Sequence, residues 1–133
     1  MPRFVDANVF IYAFTGHSLF GKTAKNILER IENGEAAITS TLVLCEVAWV
    51  LEAMGRQDSI KPTLEKLMSF KPLKVVGSNS DDLLVGANNM ATEKLDFNDG
   101  VDLALIMRLG ISEVYSNDQK HFGRVDFLKL IFC

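Results

Sequence analysis

Cysteine is scarce in this chain, and its two cysteines do not form a recognisable motif. Cys45 lies within an apolar segment and Cys133 is the last of the 133 residues. Neither belongs to a CxxC pair, which argues against a structural zinc site and against a dithiol redox site. We therefore expect both residues to be small thiols that are either buried or terminal.

Long hydrophobic runs are also missing. Hydrophobic residues make up 48% of the chain and charged residues 23%, a balance typical of folded globular proteins rather than disordered ones. No apolar stretch approaches the length of about 18 residues that a membrane-spanning helix needs. The chain reaches Phe4 without the basic segment and cleavage site of a signal peptide. These absences predict a single domain over residues 1–133, no membrane association and a cytoplasmic location.

Histidine is rare, and positive charge is not in excess. His17 and His121 are the two histidines, and neither has a partner at ligand spacing, so we expect surface or packing roles for them. The net charge is −3, from 14 basic and 17 acidic residues, which at first argues against a nucleic-acid partner. That argument weakens if several of the acids surround a metal ion, because the ion then neutralises their charge locally.

A carboxylate interrupts the first apolar segment of the chain. Phe4 and Val5 indicate a short buried strand, and Asp6 follows them directly, ahead of an apolar helix predicted over 9–14. Burying an ionised carboxylate costs several kcal/mol unless it is paired, hydrogen-bonded or bound to a metal. On this segment alone, Asp6 is either a hydrogen-bonded acid that closes the strand or a ligand.

Short apolar strands alternate with amphipathic helices along the rest of the chain. The predicted strands cover residues 4–5, 36–39, 74–76 and 127–132, with another running from Glu113 towards Asp118; the predicted helices cover 9–14, 20–33, 42–54, 60–68, 80–94 and 99–109. Such alternation indicates βαβ units. We expect an α/β fold of three layers, in which helices cover both faces of a central, mainly parallel sheet of about five strands.

A second unexplained acid lies in the most apolar of these helices. Residues 42–54, with Ser40 or Thr41 as the predicted N-cap, are apolar on nearly every side, as expected for a helix enclosed on most of its surface. Glu46 lies in the middle of the helix, and Glu52 is rotated from it by about 240°, so the two acids do not share a face. Glu46 is either a rim residue that reaches water or a second ligand.

Two further acidic segments lie at the ends of predicted elements. Asp118 ends a strand, as Asp6 does, and the carboxyl ends of parallel strands meet at the ligand-binding edge of such a sheet. Asp99 begins the helix over 99–109, and Asp102 follows three residues later, within about 60° of the same face. Spacing does not separate these two acids. We favour Asp99 because it lies nearer the carboxyl edge, and we keep Asp102 as a possible extra acid.

Four separate elements thus contribute Asp6, Glu46, Asp99 and Asp118, without a cluster of histidines or cysteines. Carboxylate oxygens without softer ligands favour Mg²⁺ or Mn²⁺ over Zn²⁺. Four carboxylates brought together repel one another and raise their own pKa values unless a cation neutralises them. A divalent ion resolves that conflict, and it can also position a phosphodiester, stabilise its charge and activate a water for in-line displacement.

The order of these segments resembles the PIN-domain ribonucleases, and more closely the VapC-type toxins of toxin–antitoxin pairs. The matching motifs are V-D-A-N at 5–8, L-C-E-V at 44–47, F-N-D-G-V-D-L-A at 97–104 and S-N-D-Q-K-H-F at 116–122. Each motif is weak alone, but the four in this order extend over nearly the whole chain. Two positions depart from the family pattern: Gly100, where alanine is more common, and Asp102, where other polar residues are common.

The resemblance implies a Mg²⁺- or Mn²⁺-dependent endoribonuclease that cleaves RNA and acts as the toxin of such a pair. It also implies a homodimer and a small antitoxin partner, from which an arginine would suit the acidic pocket. A mean hydropathy of +0.15 is in keeping with exposed apolar surface for such partners. The implied metal ligands are Asp6, Glu46, Asp99 and Asp118, and the implied supporting residues are Asn8, Ser116 and Asn117.

Other acidic α/β sites fit the sequence less well. A receiver domain has adjacent acids after its first strand, whereas Asp6 is followed by Ala7. A haloacid-dehalogenase-like phosphatase has Asp-x-Asp there, and this chain has Asn8. The remaining alternative is a catalytically inactive PIN domain that serves as an RNA-binding or protein-assembly module. A rise in melting temperature with Mn²⁺ would argue against it, since an ion that binds only the folded state must stabilise that state.

Overall fold

Five short parallel strands form the centre of the molecule. The computed structural model describes residues 1–133. In chain order its strands are β1 (Arg3–Val5), β2 (Ala37–Ser40), β3 (Leu73–Val76), β4 (Glu113–Tyr115) and β5 (Lys129–Ile131). They form one sheet in the order β3-β2-β1-β4-β5, and every pairing is parallel. The parallel sheet of five strands predicted from the sequence is therefore confirmed.

Six α-helices connect the strands and, with the sheet, form the expected α/β/α layers. They are α1 (Ala7–Thr15), α2 (Gly21–Glu32), α3 (Thr41–Ala53), α4 (Ile60–Met68), α5 (Ser80–Glu93) and α6 (Phe97–Arg108). Single turns of 3-10 helix cover Gln57–Ser59 and Phe122–Arg124. None of the helices is both long and apolar enough to cross a membrane.

Two helices begin earlier than the sequence predicted. Helix α1 begins at Ala7 rather than near residue 9, because the carboxylate of Asp6 accepts the Ala7 N–H and caps the first turn. Helix α6 begins at Phe97 rather than at Asp99, and Asp96 is its N-cap residue. The backbone of Asp96 is extended, with φ −63° and ψ 162°, the usual conformation of an N-cap residue. The last strand is shorter than the predicted 127–132, since only three residues pair with β4.

The main hydrophobic core surrounds β1. Phe4 and Val5 are fully buried, as are Phe10 of α1 and Ile27 of α2. Burying a side chain of this size contributes about 1.5–3 kcal/mol. The strand is therefore held firmly on both faces, and Asp6, which follows it directly, inherits a fixed position.

Helix α3 is less enclosed than its composition predicted. Val43, Leu44 and Val47 are buried against the core, but Cys45 is exposed and Trp49 is 51% exposed. The expectation that Cys45 is a buried thiol is therefore wrong, because this face of the helix turns away from the core; Cys133 is a terminal, exposed thiol. Of the two predicted caps, Ser40 is the one that caps α3, through a 2.9 Å bond that its hydroxyl accepts from the Val43 N–H.

The centre of the sheet brings two acidic segments together. Strand β1 pairs with β2 on one side and with β4 on the other, with Val5 opposite Tyr115. The Asp6 N–H continues the pairing by donating to the Tyr115 carbonyl at 3.0 Å. Because the chain passes to opposite sides of β1, a crevice opens at the carboxyl ends of β1 and β4, the usual ligand site of such sheets. Asp6 and Asp118 lie at this crevice.

A close crossing of α5 and α6 sets the position of the third acidic segment. A Cβ atom at Gly100 would lie 2.5 Å from the Gly86 carbonyl oxygen, and one at Gly86 would lie 2.6 Å from a Val101 methyl. The buried Asn89 amide donates to the Gly100 carbonyl at 2.9 Å. The departure from alanine at Gly100 thus has a steric reason. Helices α5 and α6 lie closer together at Gly86 and Gly100 than side chains at these positions would allow. Asp99 directly precedes Gly100, so this crossing sets its position.

Candidate active site

An acidic cavity of about 340 Å³ opens at the carboxyl edge of the sheet. Helices α1 and α3, the start of α6 and the loop after β4 form its walls. The side chains that line it are Asp6, Ala7, Asn8, Ile11, Glu46, Trp49, Val50, Asp96, Asn98, Asp99, Asp118 and His121. All four acids that the sequence singled out are among them.

Asp6 is fixed by hydrogen bonds on both carboxylate oxygens. Its Oδ1 accepts the Ala7 N–H at 2.8 Å, and its Oδ2 accepts the Ser116 hydroxyl at 2.7 Å and, at 3.3 Å, the Asn8 amide. The Ser116 oxygen in turn accepts the Asn8 amide at 3.0 Å and the Asp118 N–H at 3.0 Å. Ser116 therefore ties the end of β1 to the loop that carries Asp118.

Asn117 contributes its backbone rather than its side chain. Its N–H donates to Asn8 Oδ1 at 3.3 Å, which fixes the Asn8 amide so that its NH₂ group points towards Asp6 and Ser116. The Asn117 side chain does not line the cavity. Of the three supporting residues predicted, Asn8 lies in the cavity wall and Ser116 lies fully buried behind it.

His121 was predicted to have a surface or packing role, and the structure places it in the acidic cavity instead. Its Nδ1 lies 2.9 Å and 3.1 Å from the two oxygens of Asp118 and 3.9 Å from Asp99 Oδ2. The hydrogen bond to Asp118 raises the pKa of the imidazole. The sequence signal that could have predicted this contact is the three-residue spacing between Asp118 and His121, because one turn of the chain brings these two residues together.

Glu46 and Asp99 of the cavity wall form a compact group of carboxylates with Asp102, which lies behind that wall. One carboxylate oxygen of each lies within 4.8 Å of the others. Asp102 is fully buried, and its Oδ1 accepts the Ser40 hydroxyl at 2.7 Å. The other oxygen of Asp102 and Oε1 of Glu46 are buried without any hydrogen-bond partner. An unsatisfied buried acceptor costs about 1–3 kcal/mol and more when it is charged, so two together need an explanation.

Burial and mutual repulsion raise the proton affinity of these acids. Burial, together with the charges of Asp6 and Asp99, raises the pKa of Glu46 to about 8. Burial, together with the charges of Asp6 and Asp118, raises the pKa of Asp99 to about 7, and burial raises the pKa of Asp6 to about 6. Burial also raises the pKa of Asp102 well above its ordinary value, against the hydrogen bond from Ser40.

A divalent cation fits this donor set. The two unpartnered carboxylate oxygens lie in the group around Asp99, and a cation would satisfy and neutralise both. A second possible group, Asp96, Asp99 and His121, shares Asp99 and lies at the open side of the cavity. Donors that are nearly all carboxylate oxygens suit Mg²⁺ or Mn²⁺. Asp99 is the one residue common to both groups.

The comparison with protein families matches the PIN domain over residues 3–128. The chain belongs to the PIN-domain family. The match includes all four acidic segments of the cavity, so the PIN motifs that the sequence suggested are the ones that the fold gathers. No curated protein matches this chain.

Solved structures support the same fold for this PIN domain. VapC20 of Mycobacterium tuberculosis, described as a sarcin–ricin-loop-cleaving toxin, has 18% identity and a TM-score of 0.75, over 88% of this chain and 90% of that one. VapBC2 of Rickettsia felis, bound to a DNA fragment from its promoter, has 18% identity and a TM-score of 0.73 over 98% of each chain. DNA-bound VapBC of Salmonella typhimurium has 17% identity and a TM-score of 0.71 over 100% of each. The TM-scores establish a common fold, and at identities this low the likeness shows the fold alone.

Proposed function

We propose that this PIN domain is a Mg²⁺- or Mn²⁺-dependent endoribonuclease and the toxin of a toxin–antitoxin pair. The observation that carries the proposal is the convergence of Asp6, Glu46, Asp99 and Asp118 on one cavity, with two buried carboxylate oxygens that have no partner. The family match and the likeness to VapC20 and the VapBC structures support it. The location that we propose for this activity is the cytoplasm.

Each acid has a role that its position suggests. Asp99 and Glu46 line the cavity with carboxylate oxygens within 4.8 Å of one another and would hold the ion, while Asp6 and Asp118 would complete its surroundings from the ends of β1 and β4. Asn8 and Ser116 hold the Asp6 carboxylate by hydrogen bonds, so that it is oriented before the ion binds. When bound, the ion supplies charge stabilisation for displacement at a phosphodiester.

Three aspartate variants separate the acids around α6. Asp99→Asn should weaken Mn²⁺ binding and lower RNA cleavage by orders of magnitude, because Asp99 belongs to both groups of candidate metal ligands. Asp102→Asn should lower cleavage less, because this side chain is buried behind the cavity, and Asp96→Asn least, because Asp96 is exposed. Mn²⁺ affinity by calorimetry and cleavage of a single-stranded RNA are the measurements.

Asp126→Asn serves as the matched control, because Asp126 is exposed and does not line the cavity. Circular dichroism must show that all four variants keep the fold. If Asp102→Asn is the most damaging change, the assignment of Asp99 as the central ligand is wrong. If none of the cavity variants alters Mn²⁺ affinity, the metal-dependent nuclease proposal fails.

The proposal extends to two protein partners. Helix α5 carries exposed Leu83, Leu84, Val85 and Met90 on its surface, and an apolar patch of this kind suits a homodimer. Light scattering at a concentration of about tens of micromolar should give the mass of a dimer, since an interface of standard size holds there. Leu84→Glu should shift the mass towards the monomer. A wild-type protein that is strictly monomeric would contradict this part.

The second partner is a small antitoxin. Two of the similar structures are VapBC complexes, and the acidic cavity suits an arginine, whose guanidinium binds carboxylates with two parallel hydrogen bonds. The expected result is that a co-expressed antitoxin from the adjacent reading frame co-purifies and inhibits cleavage. Inhibition that persists after its cavity-directed arginine is replaced would contradict the mode of binding.

A further inference from the structure

The acidic cavity has one wall that no carboxylate uses. Its four apolar lining residues are Ala7 and Ile11 of α1 and Trp49 and Val50 of α3. Trp49 is the only tryptophan in the chain and stays 51% exposed, outside the hydrophobic core. This half-exposed indole lines an acidic cavity and has no packing role in the core, so it is available to a ligand.

Helical spacing places this wall directly beside the proposed metal ligands. Trp49 and Val50 follow Glu46 by three and four residues on α3, so they share its face and lie about 4.5–6 Å further along the helix axis. Ile11 approaches from α1, four residues after Ala7. A nucleotide whose phosphate lies near Glu46 would therefore meet the indole with its next planar group, the base.

We propose that Trp49, with Ile11 and Val50 beside it, stacks a nucleobase of the single-stranded RNA whose phosphodiester lies at the acidic group. The inference rests on the proposed function and adds a subsite to it. Stacking on an aromatic face suits single strands, whose bases are free to leave their own stack. It also suits this site electrically, because a chain of net charge −3 attracts RNA weakly through charge alone and gains affinity from contacts that are insensitive to salt.

A single tryptophan makes the subsite directly observable. Adenosine 5′-monophosphate and ribose 5-phosphate carry the same phosphate and differ in the base. In the presence of Mg²⁺, and with excitation beyond the nucleotide absorption band, adenosine 5′-monophosphate should quench the fluorescence of Trp49 in the wild-type protein. Ribose 5-phosphate should leave it unchanged. Neither compound contains a phosphodiester, so the readout does not depend on cleavage.

Steady-state cleavage of a short single-stranded RNA supplies the second readout. Trp49→Ala should raise KM by roughly 5- to 100-fold, the range that loss of one base–aromatic stack produces, with little change in kcat. Trp49→Phe should restore most of the affinity, because it keeps an aromatic face. Met107→Ala is the matched control, since Met107 is 49% exposed on α6 and does not line the acidic cavity.

The outcomes separate this inference from the function on which it rests. Cleavage by the wild-type protein, without quenching by adenosine 5′-monophosphate and without a KM effect of Trp49→Ala, overturns the stacking subsite while the nuclease stands. Quenching by the nucleotide without any RNA cleavage supports the subsite and overturns the nuclease. A fluorescence change that follows protein dilution alone assigns Trp49 to an interface between copies of the chain, and overturns the subsite.

Discussion

Asp102→Asn should stabilise the metal-free protein at alkaline pH. The change keeps the size of the side chain and the acceptor for the Ser40 hydroxyl, and it removes a buried carboxylate with one unpartnered oxygen. Carboxylate oxygens of Glu46 and Asp99 lie within 4.8 Å of one on Asp102. At this distance two unit charges repel by about 3 kcal/mol with an effective dielectric constant of about 20. The new amide can also donate to these neighbours.

The sign of the pH dependence follows from the raised pKa of Asp102, which burial causes. An aspartate in the unfolded chain loses its proton near pH 4, whereas the native protein keeps it to higher pH. The native state therefore binds more protons than the unfolded state in this window, and the stability of the wild-type protein falls as pH rises from about 4 through the folded pKa. Asp102→Asn removes this loss, so its advantage is absent near pH 4, grows as the pH rises and is largest at alkaline pH.

The assay is thermal unfolding of both proteins in EDTA at pH 5 and pH 8.5. We expect a gain of about 1–3 kcal/mol at pH 8.5, because part of the repulsion is already relieved by protons on the neighbours. For a domain of this size that gain corresponds to a rise in Tm of roughly 3–12 °C. The gain should be smaller at pH 5 and should shrink when Mg²⁺ is present. A variant that is less stable than wild type at pH 8.5 would refute the reasoning.

Two further predictions concern the ion and the helix crossing. Mn²⁺ should raise the Tm of the wild-type protein, and by more at pH 8 than at pH 5.5. The reason is that the ion competes with protons on Glu46 and Asp99, whose pKa values burial raises to about 8 and about 7. Equal Tm shifts at both pH values would contradict this prediction. Gly100→Ala should destabilise the protein by up to about 2 kcal/mol, since the 2.5 Å approach of its Cβ to the Gly86 carbonyl outweighs the helix preference of alanine. Gly77→Ala is the control in denaturant unfolding, because a Cβ atom at Gly77 would have only one neighbouring atom, at 4.0 Å. An equal loss of stability in both variants would show that the helix crossing is not the cause.

The acids at strand ends were the most predictable part of the site. Asp6 and Asp118 each follow an apolar strand, and parallel strands that pair bring such residues together. Glu46 was predictable as an anomaly, because an acid among apolar neighbours needs a partner. The spacing alone did not decide between Asp99 and Asp102 as the metal ligand. The structure places Asp99 in the cavity wall and Asp102 behind it, against Ser40.

Features that depend on how helices pack and how the chain turns could not be predicted from the sequence pattern. The exposure of Trp49 depends on which side of α3 faces the core, and the sequence of that helix is apolar on nearly every side. The contact of His121 with Asp118 depends on a single turn after β4. Gly100 stood out only as a departure from the family, and its reason is the backbone of Gly86 on another helix.

Cleavage of a single-stranded RNA by the purified protein, with and without a divalent ion, tests the central claim most directly. No side chain of the acidic cavity has been given the role of a base that acts without the ion. Activity should therefore appear with Mg²⁺ or Mn²⁺, disappear in excess EDTA and return when the ion is restored. Asp99→Asn, prepared in parallel, should be inactive under every condition and so exclude a contaminating nuclease. Undiminished cleavage by the wild-type protein in excess EDTA would contradict the account.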